Sequence, residues 1–333
     1  MWSTQRRGGG AVVRLAGMTT SDDARAIILD CDPGLDDAVA MFLAQGDPRV
    51  ELVAVTTVGG NAPLDAVTRN ALSLATAAGV TAPVAAGAGR PLVAVPENAS
   101  HIHGDDGLGG VTLPEPTTTL DPRHAVQVII EEIMARPAGT VTLVPTGPLT
   151  NIALALRQEP RIVERVREVV FMGGGYNTGN ATPVAEFNVY ADPEAAAMVV
   201  GAGWPVTMVG LDLTHQAIAT PDVVTEIAEV GTDTARLVAD LLDVYGDAYR
   251  ASGRGFEGAA LHDPCAVALV IAPELFTCRP APLDVELTGK LTRGMTVADL
   301  RSDAPEGCRT AVATHIDTTG FWALLREALI RLG

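Results

Sequence analysis

Short runs of β-branched residues alternate with longer helix-like stretches along the chain from residue 26. The runs Ala26–Asp30 and Val50–Val58 predict two buried strands, each followed by a predicted helix, Leu35–Gln45 and Pro63–Ala78. This alternation is typical of βαβ units, which build a largely parallel sheet covered by helices. In such a sheet, ligands bind beyond the carboxyl ends of the strands, so motifs directly after a strand are the candidates for function.

The alternation continues into the C-terminal half of the chain and is interrupted by two irregular stretches. Further strands are predicted at Thr140–Val144, Glu168–Met172 and Pro205–Val209. The irregular stretches are Gly87–Pro116, which is rich in glycine and proline, and Tyr249–Gly258, which follows a predicted helix. A loop as long as the first of these usually serves a functional site.

Residues 26–333 predict a single domain, since they contain no linker, internal repeat or low-complexity tract. Residues 1–25 predict a disordered N-terminal extension. Arg14 interrupts the short apolar stretch of this extension, which argues against a signal peptide. Met1 and Met18 both stay open as the start of the protein.

Composition narrows the classes of partner. The chain has 333 residues, with 23 Lys and Arg against 40 Asp and Glu and a formal net charge of −17. Phosphate neutralisation needs clustered basic residues, so this charge argues against a nucleic-acid partner and against an anionic membrane surface. The cysteines show no CxxC spacing, and no apolar run reaches the roughly 20 residues of a membrane span. The sequence therefore predicts a cytoplasmic protein with reduced thiols.

Four carboxylates, Asp30, Asp32, Asp36 and Asp37, lie close together where the first predicted strand gives way to a helix. The helix N-terminus stabilises an anion by about 1 kcal/mol at most, whereas crowded like charges oppose full ionisation. A bound cation resolves this conflict, and ligands that are all oxygen favour Ca²⁺ or Mg²⁺ over zinc. In the simpler alternative Asp36 and Asp37 only cap the helix, but four acids on one turn favour the metal.

Six motifs in order along the chain, most of them closing a predicted strand, carry a resemblance to a known family. They are Ile28–Ala38, Thr56–Asn61, His103–Gly109, Pro145–Asn151, the segment from Met172 through Gly179-Asn180 to Asn188, and Leu261–Pro264. On these motifs the chain resembles the nucleoside hydrolases of the inosine-uridine preferring type.

The resemblance implies a fold, a reaction and an assembly. We expect an α/β protein with a single-domain Rossmann-like fold, in which a mostly parallel central sheet is flanked by helices. The implied reaction is Ca²⁺-dependent hydrolysis of the N-glycosidic bond of ribonucleosides, which gives ribose and free nucleobase in nucleoside salvage. The implied assembly is a homodimer or homotetramer. The preferred base, purine or pyrimidine, stays open.

The same resemblance implies the roles of the acidic residues. One Ca²⁺ would be held by Asp32, Asp37, Asp263 and the backbone carbonyl of Thr146. Because Ca²⁺ takes about six to eight oxygen ligands, this set leaves room for a water molecule and a substrate diol. Asp32 resembles the general base of the family, and a cation lowers the pKa of a nearby water. Taken alone, Asp263 followed by proline is also typical of a helix cap.

The remaining site residues implied by the resemblance surround the ribose and the base. Asp36 and Asn188 would hold the 2′- and 3′-hydroxyls, and His262 would donate a proton to the departing base. An imidazole with an ordinary pKa of about 6.5 suits that role at neutral pH. Further substrate contacts are implied for Asn61, His103, Met172, Asn180 and Glu186, with Glu186 at the 5′-hydroxyl and His103 in the base pocket.

Aromatic residues and other histidines complete the list of candidates. Tyr245, Tyr249 and Phe256 lie where a lid over the base is expected, although helical packing explains the two tyrosines equally well. His215, in the segment Asp212-Leu213-Thr214-His215, is predicted to be structural rather than catalytic. His101 is predicted to be solvated, as an isolated histidine in a loop usually is.

Two other functions compete with this interpretation. A phosphatase of the haloacid-dehalogenase type also begins with Asp-x-Asp after a strand. However, Pro33-Gly34-Leu35 does not fit its turn, and Lys290 is the one lysine of the chain and lies near the C-terminus. The alternative from another class is a non-catalytic protein of the same fold that binds ribose or nucleosides. Release of free ribose from nucleosides discriminates between binding and hydrolysis.

Overall fold

The structure is a computed structural model that describes residues 24–99, 102, 104, 106–253 and 255–333. All but the last two residues of the predicted N-terminal extension, 1–25, lie outside the described residues, as do His101 and His103. From Arg25 onward the chain alternates strands and helices in the order that its hydrophobic pattern predicts.

A nine-stranded sheet forms the centre of the described part of the chain. The strands among the described residues are β1 Arg25–Cys31, β2 Val50–Thr57, β3 Val84–Ala86, β4 Leu120–Asp121, β5 Val141–Pro145, β6 Val166–Met172, β7 Val206–Val209, β8 Ile218–Ala219, β9 Ala259–Ala260, β10 Phe276–Pro280, β11 Leu283–Val285, β12 Thr296–Ala298 and β13 Thr310–Ile316. The central sheet has the order β10-β13-β7-β6-β5-β1-β2-β3-β4, and only its edge strand β10 is antiparallel to its neighbour. Two antiparallel pairs, β8 with β9 and β11 with β12, lie outside it. The predicted mostly parallel sheet is therefore confirmed.

Helices cover both faces of this sheet. They are α1 Leu35–Gly46, α2 Leu64–Ala78, α3 Ala125–Ala135, α4 Thr150–Gln158, α5 Phe187–Ala191, α6 Pro193–Val200, α7 Leu211–Thr214, α8 Pro221–Ala228, α9 Asp233–Ala251, α10 Asp263–Ile271 and α11 Thr318–Arg331, with 3₁₀ turns at Pro160–Glu164 and Pro273–Leu275. Apolar side chains of α1, α2, α9, α10 and α11 form one core with the sheet, and those of α3, α4 and α6 form the other. Covering both faces is what a mostly parallel sheet requires.

Strand β1 shows how the sequence builds this arrangement. Ile27 and Leu29 pack into one core, and Ile28 packs into the other. Because both of its faces are buried, the strand is a continuous apolar run rather than an alternation of apolar and polar residues. β1 lies between β2 and β5, where the strand order reverses direction, so a crevice opens at its carboxyl end. Asp30 and Asp32 lie at this end of the strand.

Two element boundaries differ from the prediction. The prediction that an irregular stretch starts at Tyr249 is wrong for its first residues, because α9 continues to Ala251. Tyr245 is buried in the core on this amphipathic helix, and this packing extends the helix beyond the predicted end. At α10, Asp263 is the first helical residue and His262 occupies the N-cap position, so Asp263 is not the cap itself.

The structure describes all four cysteines of the chain. Cys31, Cys265, Cys278 and Cys308 are all unpaired thiols, and the first two are buried. Within the described residues, none of the helices combines the length and the apolar character that crossing a membrane requires.

Candidate active site

A cavity of about 560 Å³ opens at the carboxyl ends of the central strands. Its walls include the predicted site residues Asp36, Asn61, Thr146, Met172, Asn180, Glu186, Asn188, His262 and Asp263, and the predicted lid residues Tyr245, Tyr249 and Phe256. Asp32 and Asp37 are fully buried beneath this wall. His103 lies outside the described residues. The structure thus brings the predicted residues that it describes to a single place.

The turn after β1 holds its carboxylates through several hydrogen bonds. The Gly34 amide donates to Asp37 Oδ2 at 3.0 Å, and the Thr146 hydroxyl donates to Asp37 Oδ1 at 2.9 Å. The backbone amide of Asn61 donates to Asp32 Oδ2 at 2.6 Å, and its side-chain amide donates to Asp37 Oδ2 at 3.1 Å. The segments that follow β1, β2 and β5 therefore converge on these two carboxylates.

The Asp32 carboxylate is confined between two glycines. A Cβ atom at Gly60 or at Gly147 would collide with it, so no other residue fits at either position without displacing the carboxylate. Oδ2 accepts the bond from Asn61, whereas Oδ1 is buried and has no hydrogen-bond partner among the described residues. Burying a carboxylate oxygen without a partner is costly. Oδ1 is therefore placed to contact a water molecule or a cation.

Burial and mutual repulsion raise the pKa values of the acidic residues. Burial, and then the charge of Asp37, raise the pKa of Asp32 well above its ordinary value and the pKa of Asp36 to about 7. Burial, and then the charge of Asp36, raise the pKa of Asp263 well above its ordinary value, and burial also raises the pKa of Asp37. No basic side chain is among the causes of these shifts. A bound cation would favour the charged form of all four carboxyl groups.

Asp36, Asp37 and Asp263 form a cluster that can hold a metal ion. One carboxylate oxygen from each residue lies within 4.8 Å of the other two, and all three residues are buried. This cluster shares Asp37 and Asp263 with the ligand set that the sequence resemblance implies. It differs from that set in having Asp36 in place of Asp32. Thr146, whose carbonyl belongs to the implied set, lines the same cavity. A set of ligands made only of oxygen suits a hard cation.

Glu186 and Asn188, at the start of α5, form hydrogen bonds to the segments that follow β5 and β6. The Glu186 carboxylate accepts hydrogen bonds from the backbone amides of Asn188 and Gly174, both at 2.8 Å. Asn188 Nδ2 donates to the carbonyl oxygens of Thr146 at 2.6 Å and Met172 at 3.2 Å. Burial raises the pKa of Glu186 to about 7. These bonds fix the segments after β5 and β6 relative to α5.

His262 and two aromatic side chains form the far end of the cavity. His262 Nε2 lies 2.5 Å from the Tyr249 hydroxyl oxygen, and His262 Nδ1 lies 2.7 Å from Thr214 Oγ1. The backbone amide of His262 donates to Asp36 Oδ2 at 3.3 Å, which connects this end to the acidic turn. The rings of Tyr249 and Phe256 meet edge to face with centroids 5.1 Å apart. A planar base fits such a surface.

Sequence reasoning missed Thr214 and gave His215 a structural role only. The His215 ring lines the cavity, 5.1 Å from the Phe256 ring and 5.8 Å from the His262 ring between centroids. Both residues stand at the end of the short helix that follows β7. Their position beyond the carboxyl end of a parallel strand is the signal that could have identified them.

Comparison with known proteins decides the family. The model of the family described as inosine-uridine preferring nucleoside hydrolase matches residues 27–323. The chain belongs to this family. An inosine-uridine preferring nucleoside hydrolase from Leishmania major is 57% identical over 93% of this chain and 98% of the relative. One of the same description from Crithidia fasciculata is 56% identical over the same shares.

Solved structures show the same nucleoside hydrolase fold. A purine-preferring ribonucleoside hydrolase from Gardnerella vaginalis superposes with a TM-score of 0.87 at 33% identity, covering 92% of this chain and 99% of that one. The family resemblance and the single α/β fold predicted from the motifs are both confirmed. Nucleoside hydrolases are N-ribosyl hydrolases, so the chain is an enzyme that acts on ribonucleosides.

Proposed function

We propose that the protein hydrolyses the N-glycosidic bond of ribonucleosides in a Ca²⁺-dependent reaction that supplies free base and ribose to nucleoside salvage. The observation that carries this proposal is the group of buried carboxylates at the floor of the cavity. Their pKa values are raised by burial and by one another, and no basic side chain contributes to these shifts. The cavity, at about 560 Å³, lies within the roughly 300–1,000 Å³ of small-molecule sites, so it accommodates a nucleoside.

The proposed Ca²⁺ ligands are Asp32, Asp37, Asp263 and the carbonyl oxygen of Thr146. Asp32 and Asp37 are buried below the cavity, whereas Asp36 lines it and stays accessible to the ribose. Ca²⁺ accepts about six to eight oxygens in a flexible geometry, while Mg²⁺ demands a near-ideal octahedron, so four protein oxygens with a water and a diol suit Ca²⁺. When bound, the ion would supply positive charge that lowers the pKa of the attacking water and attracts the ribose diol.

Asp32 is proposed to take the proton of the attacking water. Its Oδ2 is occupied by the Asn61 amide, and the two neighbouring glycines, Gly60 and Gly147, leave the carboxylate little room to turn. The other oxygen, Oδ1, has no hydrogen-bond partner among the described residues, and this supports its role as the atom that accepts the proton. A general base in hydrogen-bond reach of its proton accelerates a reaction by about 10²–10⁴-fold.

Polar side chains around the acidic turn are proposed to hold the ribose. Asp36 and Asn188 would bind the 2′- and 3′-hydroxyls, and the other contacts would come from Asn61, Asn180 and Glu186. Each hydroxyl needs a donor and an acceptor, which amide and carboxylate groups supply together. Hydrogen bonds to the sugar that strengthen as charge develops at the anomeric carbon stabilise the oxocarbenium-like transition state.

The end of the cavity around His262 is proposed to receive the base. His262 would donate a proton to the departing base. It lines the cavity, and its Nε2 lies 2.5 Å from the hydroxyl of Tyr249, which also lines the cavity. Phe256 offers apolar surface to the ring of the base, and Met172 is proposed as a further contact of the substrate. His103, which lies outside the described residues, stays a prediction for the same pocket.

The proposal includes a cytoplasmic homodimer or homotetramer. Four unpaired cysteines support a reducing compartment, since secreted proteins more often carry disulfides. The oligomeric state follows from the family resemblance, and we expect sedimentation velocity to find two or four chains per particle.

Calcium binding to the metal-stripped protein tests the proposed site. We expect calorimetry to detect one Ca²⁺ per chain, and we expect Asp263→Asn to weaken its binding by about 100-fold, because the variant loses a charged ligand. Asp212→Asn is the matched control. Asp212 accepts from the Tyr176 amide at 2.7 Å and does not belong to the acidic cluster, so its variant should bind Ca²⁺ normally. Equal affinities of the two variants would contradict the proposed ligand set.

A further inference from the structure

Thr296, on β12, forms two hydrogen bonds to a single residue of the turn that follows β6. Its Oγ1 atom accepts from the backbone amide of Gly175 at 2.9 Å and donates to the Gly175 carbonyl oxygen at 2.8 Å. Both residues are buried, and neither of them lines the cavity. One buried hydroxyl therefore satisfies the backbone donor and the backbone acceptor of Gly175, which has no side chain to hold the turn itself.

The residue before Gly175 connects this turn to the cavity. The Gly174 amide donates to Glu186 Oε2 at 2.8 Å, and Glu186 lines the cavity. The amides of Asn188 and Val189 also bind this carboxylate, but they belong to α5, the helix that Glu186 itself caps. Among the described residues, the bond from Gly174 is therefore the one hydrogen bond that fixes the carboxylate relative to the central sheet.

The β11–β12 pair contacts the surroundings of Glu186 at a second point. Met295, next to Thr296, forms an antiparallel bridge with Ala185, the residue before Glu186. Gly174 has a φ of +72°, and a Cβ atom at this position would lie 2.7 Å from Thr296 Oγ1. A glycine is thus required for the turn to approach the threonine so closely. The hairpin holds both the turn that binds the Glu186 carboxylate and the backbone that leads to it.

We infer that Thr296 is a positioning residue, which acts on the ribose of the substrate through the turn after β6 and through Glu186. The inference rests on the proposed function, because it takes Glu186 as the ligand of the 5′-hydroxyl. Contacts with a part of the substrate that does not react help to align the reacting bond, and a small displacement of such a contact slows the reaction. Thr296 is therefore placed to affect hydrolysis without touching the substrate.

Thr296→Ala and Thr296→Ser form a matched pair, because these two variants differ from each other only in the hydroxyl group. Both should fold, since the turn is also held by other hydrogen bonds. The Leu211 amide donates to the Gly174 carbonyl oxygen at 2.9 Å. The Tyr176 amide donates to Asp212 Oδ2 at 2.7 Å. Loss of the hydroxyl should therefore loosen the turn without unfolding it.

Hydrogen exchange of the backbone amides tests the contact itself, without any substrate. We expect a peptide that covers residues 173–177 to exchange about 10-fold faster in Thr296→Ala than in Thr296→Ser, because the Gly175 amide loses its acceptor. Thr310→Ala is the control. The Thr310 hydroxyl donates to the Ala281 carbonyl oxygen, and its loss should leave the exchange of this peptide unchanged. Equal exchange in the two Thr296 variants would overturn the inference.

Kinetics with and without the 5′-hydroxyl test the consequence for the substrate. For inosine and uridine, we expect Thr296→Ala to have a kcat/KM about 10-fold below that of Thr296→Ser. For 5′-deoxyinosine and 5′-deoxyuridine, which lack the hydroxyl that Glu186 would bind, the two variants should agree within about twofold. A general structural role of Thr296 would lower kcat/KM equally for all four substrates. That result, or equal activity of the two variants on inosine and uridine, would overturn the inference.

Glu186→Gln separates a failure of the inference from a failure of the proposed function. This variant should lower kcat/KM by about 50-fold for inosine and uridine and by less than about twofold for the 5′-deoxy analogues. If Glu186→Gln follows this pattern and Thr296→Ala does not, the role of Thr296 is overturned and the proposed contact of Glu186 stands. If Glu186→Gln slows all four substrates equally, the proposed 5′-hydroxyl contact is overturned, and the inference falls with it. A wild type that releases no ribose from any nucleoside would overturn the proposed hydrolysis and the inference together.

Discussion

Asp32→Asn is expected to lower kcat for nucleoside hydrolysis by about 1,000-fold, because the variant removes the proposed general base and a charged ligand of the proposed Ca²⁺ site. The substitution keeps the size of the side chain, so Gly60 and Gly147 should still accommodate it. Calorimetry with Ca²⁺ separates the two contributions. Retained Ca²⁺ binding with lost turnover assigns the effect to proton abstraction.

Asp30→Asn is the matched control for this variant. Asp30 is also a fully buried carboxylate, and its Oδ2 has no hydrogen-bond partner within the part of the chain that the structure describes. It stands two residues earlier, at the end of the same strand. Its other oxygen accepts from the Thr56 hydroxyl at 2.6 Å and from Asn151 Nδ2 at 2.8 Å, so it belongs to a structural network outside the cavity. We expect this variant to keep kcat within about 10-fold of the wild type. Substantial turnover by Asp32→Asn would refute its role as the base.

His262→Ala is expected to lower kcat for inosine and uridine by about 100-fold, because the departing base loses its proton donor. For p-nitrophenyl riboside, whose leaving group is stable as an anion, the loss should stay within about threefold. Steady-state kinetics with both classes of substrate measure the difference.

His315→Ala provides the control for that comparison. His315 lies on β13, where its Nδ1 is 3.0 Å from the Gln216 side-chain oxygen, and it does not line the cavity. This variant should match the wild type for every substrate. If His262→Ala slows the nucleosides and the aryl riboside by the same factor, His262 acts on the ribose or on the fold rather than on the leaving base.

The parts of the fold that depend on local patterns could be predicted from the sequence. The continuous apolar run of β1 and the apolar helix that follows it were predicted to within two residues. The end of α9 was not, because Tyr245 packs into the core and stabilises a helix that the irregular sequence after Tyr249 obscures. The antiparallel edge strand β10 was not predicted either, since its pairing with β13 depends on contacts between distant segments.

The residues of the candidate site could be predicted in part, whereas the contacts between their side chains could not. Asp36, Asn188 and His262 were assigned to one site by the family resemblance, and the structure brings all three to the same cavity. The contact between Thr214 and His262 could not be predicted, since it joins residues 48 positions apart through the pairing of β8 with β9. The close approach of Asp36 to Asp37 and Asp263 likewise depends on side-chain geometry.

Quantifying ribose and base after incubation with inosine and uridine tests the central claim most directly. The Ca²⁺-loaded protein should release ribose and base in equal amounts from at least one of these nucleosides, and the metal-stripped protein should release neither until Ca²⁺ is restored. Binding of nucleosides without release of ribose would contradict hydrolysis at this site. A full rate from the metal-stripped protein would contradict the role of Ca²⁺.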